Sequence, residues 1–276
     1  MTTSTEIAAP ADSAELAERF QQLHTDGILV LPNAWDVASA RIAVQQGAVA
    51  VATTSAGVAW CRGSADGNVL TREQMLDNLS ATVAAVDVPV TSDIESGFGA
   101  TDDEVCDTVR AILAVGAVGI NIEDRVGATL FPIEQQAARI TAIRAAADEV
   151  GVRLFINART DVYLAGSGDQ AEAIDRGQAY AAAGASGVFV PGPADLDLIG
   201  ALVAAIPAPL NIMVGPGSPS IGALAGVGVR RASSGAAIAQ AIYRHTQRAM
   251  AEMLTAGTYQ QMSDPIDYQE LNALMS

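Results

Sequence analysis

Three short apolar runs in this chain of 276 residues end in polar residues spaced two apart. VPVTSDIES closes with Asp93 and Glu95, GINIED with Asn121 and Glu123, and LFINARTD with Asn157, Arg159 and Asp161. A fourth run, GILVLPNA, ends on Asn33. Residues i and i+2 of a strand share a face. A strand that finishes with two same-face carboxylates is doing more than filling a core, because buried charge is costly unless it is paired or bound to a metal. Several such ends meeting at one place describe an active site suited to a hard divalent cation.

Those residues need a scaffold that gathers strand ends. A strand–helix unit recurs along the chain. Strands are expected near 28–33, 49–54, 88–94, 118–123, 153–159, 187–191, 209–214 and 228–233. Helices are expected near 36–46, 71–86, 101–115, 133–150, 169–183, 194–205, 218–226 and 235–256, after an N-terminal helix in SAELAERFQQLHTDG. Ser13 is its expected N-cap and Gly27 its stop. Thr71 and Thr101 open their helices with carboxylates in the first turn. Eight strands alternating with helices, without a composition break, predict an α/β fold of the (β/α)8 TIM-barrel type. A doubly wound sheet would want a glycine-rich turn after the first strand, and LPNAWD offers none. The expected organisation is a flexible tail over 1–12, one barrel domain over 13–257 including the final helix, and an extension over 258–276.

Each candidate has two readings. Glu95 and Asp93 repel unless a cation lies between them, or they are a solvated loop pair. Glu123 points into the barrel mouth as an oxygen ligand or water-holding group, or it makes a salt bridge. Asp124 points the other way, towards an arginine. Arg159 captures a carboxylate or an enolate charge, and it also compensates Asp93, Glu95 and Glu123. Thr53 to Gly57 form a small-residue turn able to take an anion. Asp66, in CRGSADGN, is a further metal-shell acid or a turn residue. His24 and His245 read as structural or surface residues. Cys106 reads as core. Cys61 reads as an ordinary cysteine, with an activated thiol as the rival because Arg62 is adjacent.

Composition removes whole mechanisms. All fifteen basic residues are Arg, so there is no lysine for a Schiff base or a P-loop. The net charge of −16 argues against nucleic acid and anionic membranes as partners. Two cysteines outside any metal-binding spacing argue against zinc and against a disulfide framework. The N-terminus has no signal-peptide pattern, and no apolar run reaches membrane-spanning length. A soluble cytoplasmic protein is the expectation.

LPNAWDVASA, ATTSAGVAW, PVTSDIESGFG, GAVGINIEDR, FINARTDVYL, GASGVFVPG and PLNIMV, in that order, resemble the isocitrate lyase/phosphoenolpyruvate mutase superfamily. The resemblance implies a barrel whose eighth helix, here beginning near Ala236, is exchanged between subunits of a homodimer or homotetramer. It implies Mg2+ (or Mn2+), with Asp93 as direct ligand and Asp66, Glu95 and Glu123 holding the metal largely through water. It implies that Ser55, Ala56 and Gly57 bind a substrate carboxylate, that Asn211 is a further carboxylate contact, and that Arg159 acts near the reacting bond, with Glu123 and Asp66 also in catalytic positions. Ser-Ala-Gly stands here where the family has Ser-Gly-Gly.

The resemblance also carries a departure. Lyases of the superfamily have a mobile loop after the fourth strand, with a Lys/Arg-Cys-Gly-His core whose Cys is the acid/base. Here the segment is DRVGATLFPIEQQAARI, shortened and without Cys, His or Lys. The expected function is Mg2+-dependent cleavage of a C–C bond in a small 2-hydroxy or 2-oxo carboxylate through an enolate. The alternatives are C–P chemistry of the phosphoenolpyruvate mutase or phosphonopyruvate hydrolase kind, oxaloacetate hydrolysis, and a non-catalytic metabolite-binding barrel. The proton donor would be a water or Cys61.

Overall fold

The computed structural model describes residues 9–10, 12–166 and 168–276. The tail expected over 1–12 falls mainly outside them. The strands are β1 (Leu29–Leu31), β2 (Asn33–Ala34), β3 (Val51–Thr53), β4 (Val90–Asp93), β5 (Gly119–Glu123), β6 (Arg125–Val126), β7 (Thr129–Leu130), β8 (Phe155–Arg159), β9 (Gly187–Phe189), β10 (Leu210–Met213) and β11 (Arg231–Ser233). The helices are α1 (Ser13–Gln22), α2 (Val37–Gln45), α3 (Ser55–Cys61), α4 (Arg72–Ala84), α5 (Asp102–Ala114), α6 (Ile133–Val150), α7 (Gln170–Ala182), α8 (Leu196–Ala205), α9 (Ile221–Gly226), α10 (Ala237–Thr255) and α11 (Tyr268–Met275).

Nine strands form one parallel sheet in the order β1-β11-β10-β9-β8-β5-β4-β3-β2. β1 and β2 are one chain run interrupted at Pro32, whose ring nitrogen has no hydrogen to give a ladder. Together they fill one of eight barrel positions, so the sheet closes on itself as the expected TIM barrel. Asn33 sits at this seam. Its Nδ2 donates to Thr53 O (2.9 Å), and its Oδ1 accepts from Gly235 N (2.8 Å). The fourth polar strand end is therefore a staple for the barrel, not a member of the site.

The barrel floor is closed by α1. Phe20 is fully buried, edge-on to Phe155 at 5.4 Å between ring centroids. His24 is buried and stacked on Phe155 at 3.8 Å, which confirms it as structural. Ser13 is not the N-cap. It is the first helical residue, and Asp12 before it makes no side-chain cap. Thr71 and Thr101 do cap α4 and α5, each in a reciprocal box with Gln74 and Glu104. Two elements depart from expectation. Ser55 to Cys61 is helical, and the segment after Glu123 folds back as the antiparallel hairpin β6–β7.

α10 leaves the barrel with most of its surface exposed. The extension turns back through a 3₁₀ turn, Gln260–Met262, so that α11 packs on α2, where Arg41 Nη1 donates to Leu274 O (3.0 Å). No helix among the described residues is long and apolar enough to cross a membrane.

Candidate active site

The C-terminal ends of β3, β4, β5 and β8 meet around Asp93. Asp93 N–H donates to Thr53 Oγ1 (2.9 Å), which fixes the end of β4 against β3. Its Oδ2 accepts from Ser55 N (3.2 Å) and Ser55 Oγ (3.0 Å), and its Oδ1 accepts from Glu95 N (3.2 Å). Glu95 reaches the cluster by a route other than strand alternation. β4 stops at Asp93, and Glu95 adopts a left-handed φ of 49°. Non-glycine residues rarely adopt this conformation, and it tends to mark functional sites. Asn68 N–H donates to Glu95 Oε2, and Asn68 Oδ1 accepts from Ser96 Oγ (2.8 Å). The Gly-rich loop that carries Asp66 is thereby tied to the mouth, where Asp66 lies beside Asp93, Ser55 and Gly67.

On the other side, Arg159 Nη1 pairs with Glu123 Oε2 (3.1 Å). Its Nε and Nη2 form a fork on Asp161 at 2.5 and 2.9 Å. Asp161 is fully buried and lies beyond the end of β8, so its place in the site comes from this fork. Its N–H is held by Asp124 Oδ1 (2.9 Å). Asp124 turns away from the mouth, as strand parity requires, to Arg176 Nη1 (3.1 Å) and the Tyr180 hydroxyl (2.7 Å). The Phe189 ring lies 5.7 Å from the Arg159 guanidinium. Arg125, on the hairpin, donates from Nε to the same Asp161 oxygen that Arg159 Nη2 uses (2.7 Å).

The electrostatics describe a site with too much negative charge. Burial pushes the Glu95 carboxyl up to about 7, against the Asn68 N–H and with help from Asp93 and Asp66. Burial pushes Glu123 up to about 8, because the Arg159 charge does not offset desolvation together with Asp93 and Asp161. Asp66 is raised by burial and then by Asp93. Burial alone would lower the Arg159 pKa; Glu123 and Asp161 raise it instead. No three His, Cys, Asp or Glu side chains among the described residues converge tightly enough to cage a metal. Mg2+ takes one or two carboxylates and keeps its waters. An all-oxygen donor set holding surplus negative charge fits such an ion.

The structure thus gathers Asp66, Asp93, Glu95, Glu123, Arg159 and Ser55. Ser55, Ala56 and Gly57 form the first turn of α3. Val58 is the first residue there whose N–H returns to the backbone before it (Thr54 O, 3.0 Å), so the Ala56 and Gly57 N–H groups remain for a ligand. Gly57 has a packing reason as well: a Cβ there would lie 2.7 Å from Trp35 Cβ. Gly97 and Gly99 pack against Val105 and Glu104 of α5, not against the mouth. Asn211 is fully buried and exchanges hydrogen bonds with Ser233 (3.3 Å). Cys61 donates to Val58 O (3.2 Å). Burial and then Asp36 raise its pKa over the opposing pull of Arg62, so it is an ordinary thiol. Sequence reasoning missed Arg125, Asn68 and Phe189. The two-residue spacing from Glu123 to Arg125 was the available signal for the first.

Comparison with known proteins agrees with this geometry. A family model described as phosphoenolpyruvate phosphomutase matches residues 20–254. An uncharacterised protein of Mycobacterium tuberculosis (strain H37Rv) is 39% identical over 218 residues, covering 78% of this chain and 81% of the relative. The 2-methylisocitrate lyase of Bacillus subtilis (strain 168) is 32% identical over 185 residues, 63% of this chain and 59% of that enzyme. A crystal structure of a protein from Burkholderia cenocepacia J2315 superposes with a TM-score of 0.91 at 37% identity, covering 95% of this chain and 97% of the other. The family match runs through every barrel strand, and the chain belongs to the isocitrate lyase/phosphoenolpyruvate mutase superfamily.

Proposed function

We propose that this protein is a Mg2+-dependent lyase that cleaves a C–C bond of a small 2-hydroxy or 2-oxo carboxylate. The observation that carries the reading is the convergence of Asp66, Asp93, Glu95 and Glu123 on one barrel mouth, with Arg159 paired to Glu123 at 3.1 Å. Asp93 would hold the metal directly, and the other three acids would hold its waters. Bound there, Mg2+ would supply Lewis-acid stabilisation of negative charge on the substrate oxygens. The N–H groups of Ala56 and Gly57 at the start of α3 grip the substrate carboxylate, with Ser55 anchored on Asp93 beside them. Arg159 has its guanidinium plane set by the Asp161 fork and presents fixed positive charge where an enolate develops as the bond breaks.

The test is a ¹H NMR time course of the protein with Mg2+ and a pooled panel of oxaloacetate, isocitrate, 2-methylisocitrate, substituted malates and phosphonopyruvate. The expected result is pyruvate, glyoxylate or acetate (the ¹H-visible partner of oxalate) appearing in a Mg2+-dependent way, with Asp93→Ala slower by about a thousandfold or more. Turnover without Mg2+, or unchanged in Asp93→Ala, sinks the reading. Turnover of phosphonopyruvate alone, seen by ³¹P, replaces it with C–P chemistry.

The reading extends to assembly. α10 exposes Ile242, Met250, Met253 and Leu254. A groove of about 720 Å3 lined by Val30, Trp35, Ile42 and Val214 lies beside its first turns. Seating α10 of a second copy in that groove covers both surfaces, as a homodimer or homotetramer built by helix exchange would.

A further inference from the structure

Asn68 is not one of the acids at the mouth, yet two of them depend on it. We propose that Asn68 is a positioning residue that acts through its backbone N–H, fixing Glu95 directly and Asp66 through the loop that carries both Asp66 and Asn68. The proposal rests on the metal half of the lyase reading and adds to it what holds those acids still.

Three observations carry it. The first is the bond itself. Asn68 N–H donates to Glu95 Oε2. A carboxylate with one oxygen occupied no longer turns freely, and its other oxygen is left with a set direction. The Glu95 N–H donates to Asp93 Oδ1 (3.2 Å), so the residue is held at both ends. The second is backbone conformation. Among the described residues, Asn68, Glu95 and Phe98 are the three non-glycine residues with a left-handed φ, at 61°, 49° and 55°. All three lie on the two segments that this bond joins. Such a conformation costs free energy and persists where the surroundings over-determine it. Asparagine is among the few residues that take it readily. Its side chain closes the latch from the other side, where Ser96 Oγ donates to Asn68 Oδ1 (2.8 Å).

The third is how little else places the loop. It is anchored at Ser64, whose N–H donates to Ala59 O (2.9 Å), and at Leu70, which is buried. Between these anchors the chain is exposed, Val69 by 58%, and a Cβ on Gly67 would meet nothing within 4 Å. Core packing does not position this stretch, and the Asn68 latch does. Asp66 stands two residues before Asn68, across Gly67 at a φ of 102°, beside Asp93 and Ser55. Freeing Asn68 would free Asp66 with it.

The experiment has a metal-free arm and a metal arm, both on the full chain. Without metal, the Asn68 amide is expected to exchange with heavy water at least about tenfold more slowly than in an unfolded chain, and Glu95→Ala to remove that protection. In the second arm Mn2+ is titrated and read by electron paramagnetic resonance. Asn68→Val, whose branched side chain disfavours a left-handed φ, is expected to weaken Mn2+ by about ten- to a hundredfold, as loss of a partner to a metal-holding group does. Asn68→Gly keeps the conformation and the N–H, and is expected to stay within about threefold of wild type. That order marks a backbone role, since a packing role would favour the larger residue. Melting temperatures of both variants report whether the fold survives. An unprotected Asn68 amide, equal Mn2+ affinity in Asn68→Val and wild type, or Asn68→Gly as weak as Asn68→Val overturns the proposal. A protected amide that Glu95→Ala releases, in a chain that binds no Mn2+, overturns the lyase reading and leaves Asn68 as the residue that sets Glu95.

Discussion

Glu95 holds a backbone conformation that costs an ordinary residue about 1 kcal/mol or more, and its carboxyl is pushed up to about 7 by burial, with Asp93 and Asp66 adding to it. Glu123 is pushed up to about 8. Both values lie above the unfolded value of 4.5, so between these limits the folded chain binds more protons than the unfolded one. The stability they contribute is full below about pH 4.5 and is lost as pH rises through about 7 and 8. His24 acts the other way, because burial lowers it to about 3 and the unfolded state takes its proton below about 6.5. One histidine against two acids leaves the net slope downward. The melting temperature of the Mg2+-free protein is therefore expected to fall between pH 5 and 8.5, with added Mg2+ flattening or reversing the slope. Scanning calorimetry across that range checks it, and a metal-free midpoint that rises with pH refutes the electrostatic account. Most of this cluster was legible in the sequence. Asp93, Glu123 and Arg159 end apolar strands, and a charge there has nowhere to go but a site. Arg125, Asn68 and Phe189 were not legible, because each matters through a partner far along the chain: Asp161, Glu95 and Arg159.

At the scale of elements, α3 is the departure with the clearest cause. TTSAGVAW reads as a turn because small and hydroxyl residues favour turns locally. Contact with Trp35 decides otherwise. The chain passes so close to Trp35 that only glycine fits at position 57, where a Cβ would also meet Thr54 Cγ2 at 2.8 Å. Gly57→Ala is expected to destabilise the protein by about 1–3 kcal/mol, the usual cost of overpacking, read as a lower urea midpoint. An unchanged midpoint would show that α3 can shift. The strands were legible as apolar runs with polar ends. Their lengths were not, since the ladder stops where neighbouring strands diverge, and neither was the hairpin β6–β7, whose two-residue strands carry no periodic signal. Ser13 misled for a similar reason: a good capping residue was available, but the chain before it enters helically at Asp12.

For the whole molecule, closing the barrel leaves most of α10 exposed, with Ala239 buried and Tyr243 edge-on to Trp60 as its ties to the barrel. Light scattering is expected to give a mass at least twice the 28.2 kDa of the chain, and Met250→Glu with Leu254→Glu is expected to shift it towards one chain. A monomeric wild-type mass removes helix exchange from the account. The tied hairpin after β5 has a different consequence. Six residues anchored at both ends do not have the reach to fold across the mouth, so under the proposed lyase chemistry the proton on the product carbon would come from water. A deuterium from heavy water would then be expected at the carbon released by cleavage.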